Sequence, residues 1–135
     1  MDLEKAMIAS ASGLRAQSVR MRVISENIAN QNSIASEPGA DPYRRKIVTF
    51  QTEMDRVNGV EIVKASGVDF DQKEFGKQYD PGNPAADGAG YIKTSNVNGL
   101  IEMMDMRQAE RTYQSNLNAM EASRRMATMT LDLLR

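Results

Sequence analysis

The strongest constraint on this chain lies in its last third. From Met103, alternating steps of three and four residues give Met103, Met106, Glu110, Tyr113, Leu117, Met120, Arg124, Ala127, Leu131 and Leu134, and only Glu110 and Arg124 are charged. No Pro or Gly interrupts the run after Gly99, and Ala, Met, Leu, Arg, Gln and Glu dominate it. Periodicity and propensity therefore predict one long helix within residues 96–135. At ~1.5 Å per residue, the stretch that follows Gly99 extends roughly 54 Å as a helix. A globule of this chain length is only about 30 Å across. A helix that long must project or pack against other chains.

Leu3 to Asn30 repeats the pattern, with Leu3, Met7, Ser10, Leu14, Gln17, Met21, Ile24 and Ile28 on a four-three stripe. Ala6, Ser10, Ala11, Ser12 and Gly13 make the adjoining face small enough for another helix to approach closely. A chain that runs out along one helix and returns along another most simply pairs them antiparallel. The expected register sets Leu3 with Leu134, Ser10 with Ala127, Leu14 with Arg124, Met21 with Leu117, Ile24 with Tyr113 and Ile28 with Glu110. The expected fold is mainly α. Its core is two long amphipathic terminal helices packed antiparallel in a coiled-coil-like seam, with a small β-rich middle segment. Residues 1–32, 33–95 and 96–135 form its helical, β-rich and helical parts.

Composition narrows the function. The 135 residues contain no Cys, no His and no Trp, and aromatics are 5% of the chain. The usual general base, the usual zinc ligands and disulfides are thereby removed, and little bulk remains for a compact core. The 17 basic and 18 acidic residues are balanced in every segment, so no nucleic-acid-binding arm stands out. The start, Met1-Asp2-Leu3-Glu4-Lys5, lacks the basic and apolar pattern of a secretory signal. No stretch reaches the ~20 apolar residues of a membrane span. The chain reads as soluble when made, without membrane insertion.

The middle is broken and β-like. Tyr43–Phe50, Gly59–Lys64, Gly76–Tyr79 and Tyr91–Lys93 are the predicted strands, and Pro81-Gly82-Asn83-Pro84 and Asp87-Gly88-Ala89-Gly90 supply turns. Three Asn in six residues, Asn27, Asn30 and Asn32, suit the frayed end of the first helix. Asp69, Asp71 and Glu74 lack the calcium-loop pattern, because Lys73 and Glu74 stand where that loop needs an oxygen ligand and a glycine. Gly82, Gly88 and Gly90 lack dinucleotide-binding spacing. Arg44-Arg45-Lys46 reads as a solvated strand edge or a protein contact. We assign no catalytic residue, no metal ligand, no cofactor and no small-molecule substrate.

Several of these runs together carry a family resemblance. Ser25-Glu26-Asn27-Ile28-Ala29-Asn30, followed by Tyr43-Arg44-Arg45-Lys46, is similar to the signature of bacterial flagellar rod and hook proteins. Gly90-Tyr91-Ile92-Lys93, Asn96-Val97-Asn98, Glu102-Met103 and Arg107 to Leu117 resemble the C-type proximal-rod branch of that family, as does Pro81 to Asp87. Gly99 departs from the pattern, which often has Pro there, and the loop from Gln31 to Pro42 is longer than in hook-like members. The motif positions are Ser25, Asn27, Ile28, Ala29, Asn30, Tyr43, Arg44, Gly90, Tyr91, Asn96 and Asn98. The resemblance implies a structural subunit of the drive shaft that crosses the periplasm. Such a subunit assembles with copies of itself and other rod proteins, and leaves the cytoplasm through the flagellar type III export apparatus without a cleaved signal. On that reading the subunit-interface seams are Leu3, Met7, Leu14, Met21, Ile24 and Ile28 on the first helix, and Met103, Met106, Tyr113, Leu117, Met120, Ala127, Leu131 and Leu134 on the second. A generic coiled-coil adaptor would explain the stripes but not the Asn-rich run or the Pro-Gly-Asn-Pro loop. An enzyme would have to work without His, Cys or a pocket-forming pattern.

Overall fold

The computed structural model describes residues 2–134 and orders them α1 (Asp2–Ala29), β1 (Lys46–Asp55), β2 (Val60–Phe70), β3 (Gly76–Tyr79), β4 (Tyr91–Thr94) and α2 (Gly99–Asp132). Both helices and all four strands lie near where periodicity and turn residues predict them, but β1 begins at Lys46, leaving Tyr43 to Arg45 outside it, and β1 and β2 both run on past their expected ends. The expected fold class is not what the chain adopts. Strands of ten, eleven, four and four residues form two separate two-stranded sheets, β1-β2 and β3-β4, beside helices of 28 and 34 residues. The expected apolar seam does not form the core either. The buried apolar side chains are few and mostly small: Ala16, Val23, Ile24, Ala35, Val60, Ala85, Ile92 and Ala109. The bulkiest fully buried side chains are Glu102 and Asn27, both polar. Of the seam positions only Ile24 is buried, whereas Met103, Leu131 and Leu134 are exposed and the others half-buried.

The chain divides into two compact units. One comprises Met1–Met21, Val48–Gly67 and Arg107–Arg135; the other comprises Arg22–Ile47 and Val68–Met106.

In the first unit, small residues set the packing. A side chain at Gly13 would meet the Asn116 amide at 2.7 Å, so α2 lies hard against α1 at this point. Ala109, Asn116 and Ser123 repeat every seven residues on α2, where Ala109 and Ser123 are buried and Asn116 is half-buried. This row runs beside the apolar stripe, which is turned partly outward. Close approach of two backbones through small side chains gains dispersion contacts that bulky residues would prevent. The expected register put residues near Arg124 opposite Gly13; Asn116 takes that place, about two turns nearer the start of α2. Ser123 Oγ donates to its own helix at Ala119 O (3.0 Å), which satisfies the hydroxyl without a partner from elsewhere. Ser12 Oγ donates to Ala9 O (2.7 Å) and accepts from Val63 N (3.1 Å), tying β2 to α1. The β1-β2 turn closes on Asp55, whose carboxylate accepts from Val57 N, Asn58 N and Asn58 Nδ2.

In the second unit β3 and β4 pair antiparallel, from Gly76 opposite Thr94 to Tyr79 opposite Tyr91. Ile92 turns inward onto Ala35 and Ala85, with Ala40 and Ala86 around them. The chain after α1 lies along β4 through Ala35 N to Lys93 O (3.3 Å) and Ser95 N to Ser33 O (3.1 Å). Asn30 Nδ2 donates to Glu26 O (2.8 Å) and closes α1. At α2, Asn98 Oδ1 accepts from Leu100 N (3.1 Å) and Ile101 N (3.4 Å), the arrangement of an N-cap. The helix therefore starts at Gly99, where the Gln31 side chain occupies the space a Cβ would need.

Candidate functional site

The densest polar cluster of the described residues lies in the second unit and is centred on Asn27, which is 1% exposed. Its Nδ2 donates to Lys46 O (2.9 Å) and Glu102 Oε2 (3.1 Å), and its Oδ1 accepts from Tyr43 O–H (2.8 Å) and Lys46 N (3.0 Å). An amide has two donor hydrogens and two acceptor lone pairs, so all four are used. One side chain thus joins the end of α1, the start of β1 and the first turn of α2. Sequence reading places Asn27 at a frayed helix end; here it is the hub.

Glu102, fully buried, supplies its other oxygen to Arg45 Nε. The same guanidinium reaches Asp71 Oδ2 (3.4 Å) and Asp105 Oδ2 (3.5 Å). Burial opposes the Arg45 charge, but the bonds to Glu102 and Asp71 outweigh it and hold the pKa above its usual range. The Lys73 backbone N–H and the Arg45 guanidinium keep the Asp71 carboxyl below the usual carboxylate range against the effect of burial. Lys46 Nζ pairs with Glu26 (2.9 Å), which raises the lysine and lowers the glutamate. Burial pushes the Tyr43 phenol up. Asn96 Oδ1 accepts from Arg45 N (2.7 Å), and its amide donates to Asp71 O and Lys73 O. Arg44 donates to Asp71 O (2.9 Å) and lies 4.3 Å over the Phe75 ring.

Of the two readings of the basic triplet, a solvated strand edge or a protein contact, the first does not hold: its side chains make contacts within the chain. All three cations are anchored: Arg45 by the buried Glu102 carboxylate, Arg44 by the Asp71 carbonyl, and Lys46 by the half-exposed Glu26 carboxylate. Of the motif positions, Asn27, Tyr43, Arg44 and Asn96 meet in this network, while Asn30 and Asn98 close the helix ends that flank it. Gly90 and Tyr91 sit apart: Gly90 has φ +82° and its Cα faces the Tyr79 ring, which packs edge-on against Tyr91 at 5.2 Å. Ser25 and Ala29 are exposed. Sequence reasoning missed Arg45, Asp71 and Glu102 as partners. Their sequence separations of 26 and 57 residues leave no periodic signal, although a lone Glu at the start of a helix after an Asn cap is a local cue. Every reactive group in the cluster already has a partner, and the carboxylate at its centre has no access to solvent. The arrangement holds four chain segments together: the end of α1, Tyr43 to Lys46, Asp71 to Phe75, and Asn96 with the first turns of α2.

A second feature is the exposed apolar surface of α2. In the second unit it comprises Leu100, Ile101, Met103 and Met104, and in the first Met126, Met129 and Leu131, continued just past the helix by Leu133 and Leu134. No helix among the described residues is long and apolar enough to cross a membrane.

Comparison with known proteins accounts for a structural scaffold of this kind. The model of the family described as flagellar basal body rod FlgEFG protein C-terminal matches residues 89–133. The flagellar basal-body rod protein FlgC of Agrobacterium fabrum is 53% identical over 93% of this chain and 91% of its own length. The FlgC of Salmonella typhimurium is 37% identical over 92% of each chain. That of Bacillus subtilis is 34% identical over 92% of this chain and 93% of its own. These relatives are structural proteins, not enzymes. The chain belongs to the FlgC family of flagellar basal-body rod proteins and is a structural rod subunit of the flagellar basal body.

Proposed function

We propose that this chain is a subunit of the proximal rod. It adds to copies of itself and to other rod proteins in a helical array that transmits torque across the periplasm, and it is exported by the flagellar type III apparatus without loss of an N-terminal signal. The observation that carries the reading is the set of large apolar side chains left at least 47% exposed at the two ends of α2 and just past it, at Leu100, Ile101, Met103, Met104, Met126, Met129, Leu131, Leu133 and Leu134. Such a surface on a rod subunit is surface awaiting other subunits. Four of the nine are methionines, whose flexible side chains adapt to unlike neighbours at a junction between different proteins. Heterologous contacts that do not close into a ring generate helical assemblies. The seam residues other than the buried Ile24, from Leu3 to Ile28 on α1 and from Met103 to Leu134 on and just past α2, contribute their outward-turned parts to such interfaces.

The test is complementation of cells that lack their own copy. Basal bodies purified from the complemented cells should contain a rod, and mass spectrometry should find this chain in it with its N-terminus intact. Rods of normal length without the chain refute the placement; a trimmed N-terminus refutes the export route.

A further inference from the structure

Within the first unit, α1 and the β1-β2 hairpin enclose an open groove of about 850 Å³. Its apolar lining includes Ala16 and Val19 of α1 and Met54, Ile62, Val63 and Ala65 of the hairpin. We propose that this groove receives the C-terminal end of α2 from a second copy of the chain, an inference that rests on the assembly reading above. The shape of the occupant comes from α2 itself. Met126, Met129, Leu131, Leu133 and Leu134 are 50–87% exposed, and backbone bonds from Leu133 N to Met129 O and Leu134 N to Leu131 O carry the helical pattern past Asp132. At 100° per residue, Met126, Met129 and Leu133 lie on one side and Leu131 and Leu134 on the next, together covering more than half of the circumference. A helix end apolar over that arc is built to be surrounded, not to lie along a flat surface.

Charge supports the same occupant. The groove's acidic residues are engaged, Asp55 by the N–H groups of its own turn and Glu53 by Lys64 at 3.4 Å. Arg15 and Arg56, also in the lining, have no ion pair among the described residues. The last turn of α2 carries Asp132 and no base, so the partial negative charge of the helix end lacks a cation within its own turn. A cationic groove rim supplies one. A groove at one place on the molecule and a helix end at another make a head-to-tail contact that repeats from copy to copy.

The chain has no Cys, so crosslinking tests the contact directly. Cells lacking their own copy would carry two single-cysteine variants, Val19→Cys and Leu131→Cys, or in a second strain Ala65→Cys and Leu133→Cys. Basal bodies purified from them would be treated with oxidant or a short bismaleimide. Bridged pairs of this chain in either strain, absent when one variant is present alone, are the expected result. Basal bodies that contain both variants but no bridged pair overturn the proposal and leave the rod assignment standing. Cysteine adducts formed with a different rod protein, or within one chain carrying both cysteines at high dilution, overturn it too. If cysteine variants fail to assemble, charge exchange decides: Arg56→Glu should lower the yield of basal bodies, and Asp132→Lys in the same chain should restore part of it. No restoration in that pair overturns the proposal.

Discussion

Replacing Asn27 by Ala removes one side chain and leaves four groups without their partner: the N–H and C=O of Lys46, the Tyr43 hydroxyl and one Glu102 oxygen. The Tyr43 hydroxyl can turn to water, and Glu102 keeps its bond to Arg45. The two Lys46 backbone groups have no such recourse unless water enters the space vacated. Each buried group left unsatisfied costs about 1–3 kcal/mol. Partial rescue by one ordered water brings the expected loss to ~3–5 kcal/mol for the second unit. That is a large fraction of the ~5–15 kcal/mol typical of a folded domain. Urea unfolding of the purified chain, followed by circular dichroism, gives the loss from the shift in midpoint. Hydrogen exchange at the Lys46 amide locates it in this unit. Asn27→Asp should lose at least as much at pH 7, because a carboxylate then faces Glu102 where an amide donated. A loss below about 1 kcal/mol for Asn27→Ala, with Lys46 still protected from exchange, would refute the role given to the hub.

Three further outcomes are expected. Leu131→Asp should leave the monomer's unfolding free energy within about 0.5 kcal/mol of the parent, since the side chain is 66% exposed, while abolishing rod assembly and motility; normal motility sinks the interface assignment. Gly90→Ala should destabilise by ~1–2 kcal/mol, from a left-handed backbone and a Tyr79 ring atom 2.9 Å from the new methyl carbon, whereas Gly88→Ala in the same loop meets nothing within 4 Å and should be near neutral by urea titration. Glu26, Asp55, Asp71 and Asp87 all titrate lower in the folded chain than in the unfolded one. Their contribution is complete above the unfolded carboxylate range near ~4 and is lost as pH falls through the lower folded values. Unfolding should therefore need less urea at pH 3 than at pH 7, with a smaller difference in Asp71→Asn; equal midpoints at both pH values exclude the linkage.

Local chemistry was enough to determine the elements. Spacing of three and four residues, uninterrupted by Pro and broken inside only by Gly13 of α1, fixes α1 and α2, and Asn98 marks where α2 begins because its side chain serves the first free backbone N–H groups. Gly76–Tyr79 is bounded as a strand by glycine on one side and Asp80-Pro81 on the other. The absence of His and Cys, a matter of composition alone, narrows the chemistry open to the chain whatever its fold. Periodicity could not say which face of each helix meets the other. An apolar stripe and a row of small residues lie side by side on α2, and a helix read alone offers both. Tertiary structure chose the row of Ala109, Asn116 and Ser123, because close approach at Gly13 excludes bulk, and it left Met103, Leu131 and Leu134 outside. It also gave Asn27 its partners. The hydrogen bonds from Asn27 to Lys46 and Glu102 span 19 and 75 residues, and a hydrogen bond formed across such distances depends on where folding brings the segments, not on what surrounds each residue in the chain.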